Sequence, residues 1–364
     1  MKVVVLGAGI VGMTSALRIV EDCGTAGLDM TVMADKFSPN TTSDVAAGVW
    51  SLPRSKMTKR EMQWLRWSHE YLTALLKTPY APEIGLFLQS GWTMWMHVDE
   101  QDPDWKDLVQ GYRHPTKWEL TNLFPGYKDG FFCTTFMLES RLFLPWAENR
   151  LWTLVCQIQS LTMPIGLFVL LPLMTISNSV NSVLLFSLKL YLDHDIIVNC
   201  TGIGARDLVG DTKVVPSRGQ IITVKAPWIK HRIELTGIHP SIPGCPYVIS
   251  GHSHTRIGGI RQHGRWDLSV DPRDTEKILD GITTVFPSLK NVEILNVKTG
   301  LRPMREEIRL EREEKRDNLS GKTVQIIHNY GHGGNGIAWS FGCAKEVAIM
   351  VKQLLQKQST KSRL

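Results

Sequence analysis

The stretch that most constrains this chain is its first, MKVVVLGAGIVG, running from Met1 to Gly12. Val3, Val4, Val5 and Leu6 form a short apolar run rich in β-branched residues, the signature of a strand buried on both faces. The run breaks at Gly7-Ala8-Gly9-Ile10-Val11-Gly12, after which Thr14 to Glu21 continues with helical periodicity. In such a strand–turn–helix unit Gly7 permits the tight turn, Gly9 lets a pyrophosphate approach the backbone, and Gly12 lets helix and strand pack closely. The helix N-terminus then holds the phosphate charge through its unpaired N–H groups and its dipole. A glycine turn alone is weak evidence, but residues 29–35, DMTVMAD, read as a second strand ending in Asp35. That acid falls roughly twenty residues past the turn, where a ribose ligand belongs. Together these features predict an adenine dinucleotide site, leaving FAD and NAD both open.

The loop that follows, Lys36 to Gly48 (KFSPNTTSDVAAG), is rich in Ser, Thr, Asn and Asp and runs into small residues before Val49. Thr41, Thr42 and Ser43 can offer hydroxyls and amides to a phosphate or ring, and the same residues suit a helix N-cap. Downstream, Asp195 to Gly202 (DIIVNCTG) reads as an apolar strand ending in small residues near the cofactor, with Thr201 at its end.

At 364 residues and 43% hydrophobic, the chain can bury a large core and is long enough for two domains. Its charge of +6 comes from interspersed residues, 41 Lys+Arg against 35 Asp+Glu, with no basic stripe that would point to nucleic acid. Six cysteines (Cys23, Cys133, Cys156, Cys200, Cys245, Cys343) show no metal-ligand spacing, so no metal is expected and the thiols read as small buried apolar groups.

Glu61 to Lys77 has apolar residues at helical spacing, including Trp64 and Trp67, while Gly85–Met96 and Gly130–Leu138 have β character. Asp102 to Trp105 reads as the opening of a surface segment. Two β-rich blocks, 85–138 and about 215–305, interrupt the nucleotide-binding chain and predict a second, sheet-based domain. The apolar stretch within 151–188 is anomalous, with no charged side chain between Arg150 and Lys189. Its two prolines and short apolar run argue against a membrane span. It reads as a divergent buried segment, a membrane-associating hairpin or, the reading preferred, sequence foreign to the working protein. The N-terminus lacks the apolar core of a secretory signal. The terminal Ser362-Arg363-Leu364 is a conservative variant of the Ser-Lys-Leu peroxisomal address.

Taken together, GAGIVG, ADKFSPNTTSDVAAG, VNCTG, SRGQI, TGLRP and IIHNYGHGGNGIAWSFGCA resemble the D-amino-acid oxidase / D-aspartate oxidase family of flavoproteins over 1–147 and 192–364. The resemblance implies non-covalent FAD rather than NAD. It also implies an α/β fold with two parts: a Rossmann-like FAD-binding domain (1–52, about 139–215, 303–364) and a mixed-sheet α+β substrate domain (about 53–138 and 216–302). Segment 148–191 stands apart, with no convincing equivalent of the family's strand near the adenine. The implied reaction is oxidation of a D-amino acid by hydride transfer to flavin N5. Hydrolysis then gives a 2-oxo acid and ammonia, and dioxygen reoxidises the flavin to yield hydrogen peroxide. Catalysis of this kind lies in positioning and in the cofactor. A peroxide product suits the peroxisomal matrix and thus an import receptor binding Ser362-Arg363-Leu364.

By the same resemblance Arg302 clamps the substrate α-carboxylate, Tyr247 supports it through its hydroxyl, and the Gly334 carbonyl receives the amino group. Gly333, Gly334, Gly336, Ile337 and Ala338 form the turn and helix start over the flavin. Arg261, in GGIRQHGRW, matches the acidic-substrate branch of the family, where an arginine pairs with the side-chain carboxylate. Pro243 and Ser51 replace residues of the neutral-substrate branch, and Arg54 or Arg232 is a candidate second cation. D-aspartate, with D-glutamate beside it, is the expected substrate. The alternatives are an oxidase of neutral D-amino acids and a protein left inactive by segment 148–191.

Overall fold

The computed structural model describes residues 1–52, 56–98, 101–154, 156–160, 192–237, 245–316 and 321–361. Arg54, Pro243, residues 161–191 and Ser362-Arg363-Leu364 lie outside them.

The opening run forms β1 (Lys2–Leu6), buried from Val3 onward. It pairs in parallel with β2 (Asp29–Ala34) on one side and β7 (Ile196–Asn199) on the other. Beyond β7 lies β14 (Thr323–His332), and beyond β2 lies β6 (Cys156–Ser160), both parallel. This five-stranded parallel unit is the Rossmann-like half. Its Val/Ile-rich strands are those expected of a sheet covered on both faces. The helix α1 (Ile10–Cys23) turns Met13, Ala16, Leu17 and Val20 inward, where they join Phe341, Val347 and Val351 of the C-terminal helix Gly336–Lys361 in one core.

Strand β6 corrects one expectation. Backbone register from Met30↔Cys156 to Ala34↔Ser160 places a parallel strand beside β2, inside the segment read as supplying none. The segment's start is also ordinary: the helix Ser140–Thr153 carries buried Ala147 and Leu151 into the core.

The second half is mostly antiparallel, in the order β4 (Gln110–Arg113), β5 (Asp129–Leu138), β3 (Leu86–Trp95), β9 (Arg232–Leu235), β10 (Tyr247–Ser250), β11 (Thr255–Gly258) and β8 (Val215–Lys225). The two halves are one continuous sheet. Its joint is β13 (Glu293–Arg316), whose first part pairs with β8 and whose second part pairs with β14. α2 (Lys59–Leu76) begins at Thr58, whose hydroxyl and amide form a capping box with Glu61. Its Trp64 is a core residue as expected and Trp67 packs against that core. Trp105 departs from the surface reading of its segment: it is 1% exposed and packs edge-on against Phe131.

Candidate active site

The carboxyl ends of β1, β2, β7 and β14 converge where α1 begins, the position at which open α/β sheets bind ligands. Gly7 adopts φ +105°, and a Cβ there would stand 2.5 Å from the Cys200 carbonyl oxygen. A Cβ on Gly12 would collide with the Gly7 carbonyl oxygen. These two contacts let β1, β7 and α1 meet at a bare backbone turn. Gly9 caps the helix, and the Ser43 hydroxyl accepts the Ile10 amide at 2.9 Å, which ties the second loop to the turn. Ala8 and Ile10 are buried beneath the turn and Val11 is half-buried. Asp35 and Lys36 are exposed immediately past β2.

The loop after β2 differs in detail from its sequence reading. The Asp44 carboxylate takes the Thr41 amide at 2.9 Å and hydroxyl at 2.7 Å, and the Ser38 hydroxyl at 2.7 Å. Thr41 therefore spends its donor on the capping box, and the exposed Thr42 and the hydroxyl hydrogen of Ser43 are what the loop presents. Gly48 (φ +103°) and Val49 lie against Met137 of β5. Thr201 donates its amide and hydroxyl to Asn199 Oδ1, at 3.2 and 2.7 Å, just beyond β7.

The C-terminal glycine turn closes the cradle. Gly333 (φ +57°) donates its amide to the Pro303 carbonyl at 3.0 Å, and Gly336 starts the last helix within 3.5 Å, measured from its Cβ position, of Ile10 Cγ2. Two helix N-termini thus face the same space. Ile337 is buried, and fully buried Ala338 accepts the Trp50 indole N–H at 3.2 Å, so these two support the turn by packing. His332 beside them has a buried Nε2 with no hydrogen-bond partner among the described residues. Burial drives its imidazole down to about 3, so it is neutral. A bare-backbone turn at a helix start, an acid past the second strand and an unsatisfied buried nitrogen fit an adenine dinucleotide.

On the antiparallel side, Arg302 of β13 lies across Gly219 of β8, where a Cβ would stand 2.6 Å from its Cζ. Its Nη1 donates to the Ile260 carbonyl at 3.4 Å, and a Cβ on Gly334 would stand 3.5 Å from its Cδ. Tyr247 of β10 lies across Gly258 of β11 in the same manner, leaving its hydroxyl beside the guanidinium. Burial raises the Tyr247 hydroxyl, while the positive charge of Arg302 pulls it back. Burial lowers Arg302, which the Tyr247 oxygen counters and the neighbouring Arg261 reinforces.

The contrast with the other buried arginines is informative. Arg218 pairs with Asp274 at 2.7 Å, Arg232 with Glu234 at 3.0 Å and Arg256 with Glu139 at 2.6 Å. Arg302 has no carboxylate within ion-pair distance among the described residues. A desolvated cation without a counter-ion is costly, and an anionic ligand relieves that cost. Arg261, exposed just after Gly259 (φ +143°), also has no ion pair or hydrogen bond to a described residue. Arg302, Tyr247, Arg261 and Gly334 are thus neighbours. Arg232 is not a second pocket cation, because Glu234 neutralises it. The supporting glycines Gly219 and Gly258 went unassigned, although SRGQI and GGI marked them as places of close approach.

The family described as "FAD dependent oxidoreductase" (DAO) matches residues 2–350. Human D-aspartate oxidase is 34% identical over 372 aligned positions, covering 99% of this chain and 97% of that protein. A D-amino acid oxidase of Dugesia ryukyuensis is 30% identical, covering 98% and 99%. Among solved structures, glycine oxidase from Bacillus cereus superposes with a TM-score of 0.67 at 14% identity, covering 97% of this chain and 95% of its own. The last likeness speaks to the fold alone.

Proposed function

The chain belongs to the DAO family of FAD-dependent oxidoreductases, and from that premise we propose that it oxidatively deaminates acidic D-amino acids, D-aspartate foremost. The observation that carries the reading is Arg302, a desolvated guanidinium beside the Tyr247 hydroxyl with no carboxylate partner among the described residues. A planar guanidinium holds an α-carboxylate through two parallel hydrogen bonds, fixing orientation as well as charge. Tyr247 supplies a further donor to the same carboxylate, and the Gly334 carbonyl accepts the ammonium group. Arg261, adjacent and without a partner among the described residues, supports a second carboxylate on the substrate side chain.

The Gly7–Gly12 turn, Asp35, Thr42, Ser43 and the Gly333–Gly336 turn would hold FAD, which when bound would supply the two-electron oxidation, with dioxygen as the final acceptor and hydrogen peroxide as its product. The chain's own part is to bind, orient and exclude water, so no side chain has to take the substrate's α-hydrogen. A peroxide product supports the peroxisomal reading of Ser362-Arg363-Leu364. A fluorescent protein carrying the last residues of this chain should enter peroxisomes, and deleting the tripeptide should leave it in the cytosol.

Oxygen uptake by the FAD-loaded chain tests the reading. Activity on D-aspartate and D-glutamate well above that on D-alanine, and none on L-aspartate, is the expected pattern. Equal activity on D-aspartate and D-alanine would move the reading to the neutral-substrate enzymes.

A further inference from the structure

The inner face of the antiparallel half carries a charge pair that this chemistry does not use. Glu234 on β9 stands directly opposite Tyr247 on β10 in antiparallel register. Directly opposed residues share a face, with Cβ atoms about 5 Å apart. The Glu234 Oε1 accepts from Arg232 Nη1 at 3.0 Å, whereas no described group reaches Oε2. Arg232 is 3% exposed and is held from behind by Thr93 Oγ1 at 3.1 Å and Cys133 Sγ at 3.0 Å. Glu234 keeps 18% exposure. The cation is therefore sealed into the sheet, and the carboxylate, opposite half-buried Tyr247, is the member of the pair that keeps exposure. Burial first, and Glu234 in addition, raise the Tyr247 hydroxyl, so the negative charge is felt at the substrate clamp.

Resting on the amino-acid oxidase reading of this site, we infer that Glu234 is a specificity-determining residue that opposes Arg261. Its open oxygen disfavours a side-chain carboxylate and favours a D-amino acid whose side chain ends in a hydrogen-bond donor or a cation. The site is then graded rather than purely anion-selective: the guanidinium of Arg261 attracts a distal carboxylate, and Glu234 limits the preference.

The test compares kcat/KM of the FAD-loaded full chain for D-aspartate, D-asparagine, D-arginine and D-alanine with that of Glu234→Gln and Glu234→Asp. The amide of Gln keeps an acceptor for Arg232, and Asp keeps the charge. Removing one partly solvated unit charge beside the pocket predicts a roughly three- to tenfold gain for D-aspartate in Glu234→Gln, expressed in KM, and a similar loss for D-arginine. D-alanine should stay within about twofold, and Glu234→Asp should hold the wild-type ratios. A uniform change across all four substrates, or unchanged ratios, overturns the assignment. The unmodified chain gives an arm free of folding effects: a D-aspartate preference over D-asparagine beyond about a hundredfold also overturns it. Failure of the unmodified chain to oxidise any D-amino acid would instead bring down the oxidase reading beneath it.

Discussion

Arg302 and Arg261 are both arginines without a carboxylate partner among the described residues, yet the chain treats them differently. Arg302 is packed between Gly219 and Gly334, so its geometry is set before any ligand arrives. Arg261 stands exposed past a positive-φ glycine. Replacing Arg302 with Leu should therefore abolish turnover of every D-amino acid while leaving the flavin spectrum intact. Arg261→Leu should lower kcat/KM for D-aspartate about 10- to 100-fold, the worth of a charged hydrogen bond, and change D-alanine by less than about threefold. Equal losses on both substrates would deny Arg261 its role. The two arginines stood out in the sequence through the family resemblance of the motifs that carry them, TGLRP and GGIR. Glu234 did not, since nothing about HRIEL marks a charge pair; only the cross-strand register puts it opposite Tyr247.

At the scale of elements, the glycine turn works because helix and strand meet without side chains. Gly12→Ala would press a methyl group into the Gly7 carbonyl oxygen, a backbone atom that cannot step aside. Overpacking of this kind costs about 1–3 kcal/mol, and here it also displaces the amides of the turn that would hold a phosphate. The purified variant should carry substoichiometric flavin and a lowered thermal midpoint. This element was fully legible: a strand period, three spaced glycines and a helical period follow one another within 21 residues of sequence. β13 was less so. Its second part, REEIRLEREEKR, has the look of a solvated charge run, and only Ile308 and Leu310 hint at alternation. Pairing with β14, whose Ile327 and Tyr330 are buried, makes it a strand.

At the far edge of the antiparallel half, a pH-sensitive cluster is held by His114, which sits between Asp129 at 3.0 Å and Asp102 at 2.8 Å. Hydrogen bonds to Asp129 and Asp102 raise the imidazole above its ordinary value. A raised folded value means that the contribution is fully present below the unfolded imidazole value and is lost as pH rises through the folded one. The thermal midpoint of the unmodified chain should therefore exceed that of His114→Ala in mildly acidic solution. The gap should close in alkaline solution; a gap independent of pH would contradict the charge account.

The whole molecule depends on joints between its halves, and two were hidden from the sequence because they are made of residues far apart in it. One is β13. The other is the Glu139–Arg256 pair, both side chains 7% exposed, in which Arg256 also donates to the Ala47 carbonyl at 3.2 Å and Glu139 accepts the His252 amide at 2.8 Å. Burial alone would raise the Glu139 carboxyl, but Arg256 and the His252 amide hold it below the usual carboxylate range. Arg256→Met leaves that carboxylate buried without its partner and should destabilise the chain by about 3–5 kcal/mol in a urea titration. The same variant releases the loop ending at Gly48, so flavin affinity should fall with it. The α/β fold class followed from the placement of β-rich blocks around a dinucleotide turn, whereas the continuity of the sheet did not, because register is a property of pairs of strands.

The most direct measurement is an anaerobic titration of the FAD-loaded chain with D-aspartate, followed in the visible flavin band, with D-alanine as the comparison. The account predicts that D-aspartate bleaches the band at concentrations where D-alanine leaves it unchanged, and that admitting oxygen restores it. A flavin band indifferent to D-aspartate, or one bleached equally by both amino acids, would contradict it.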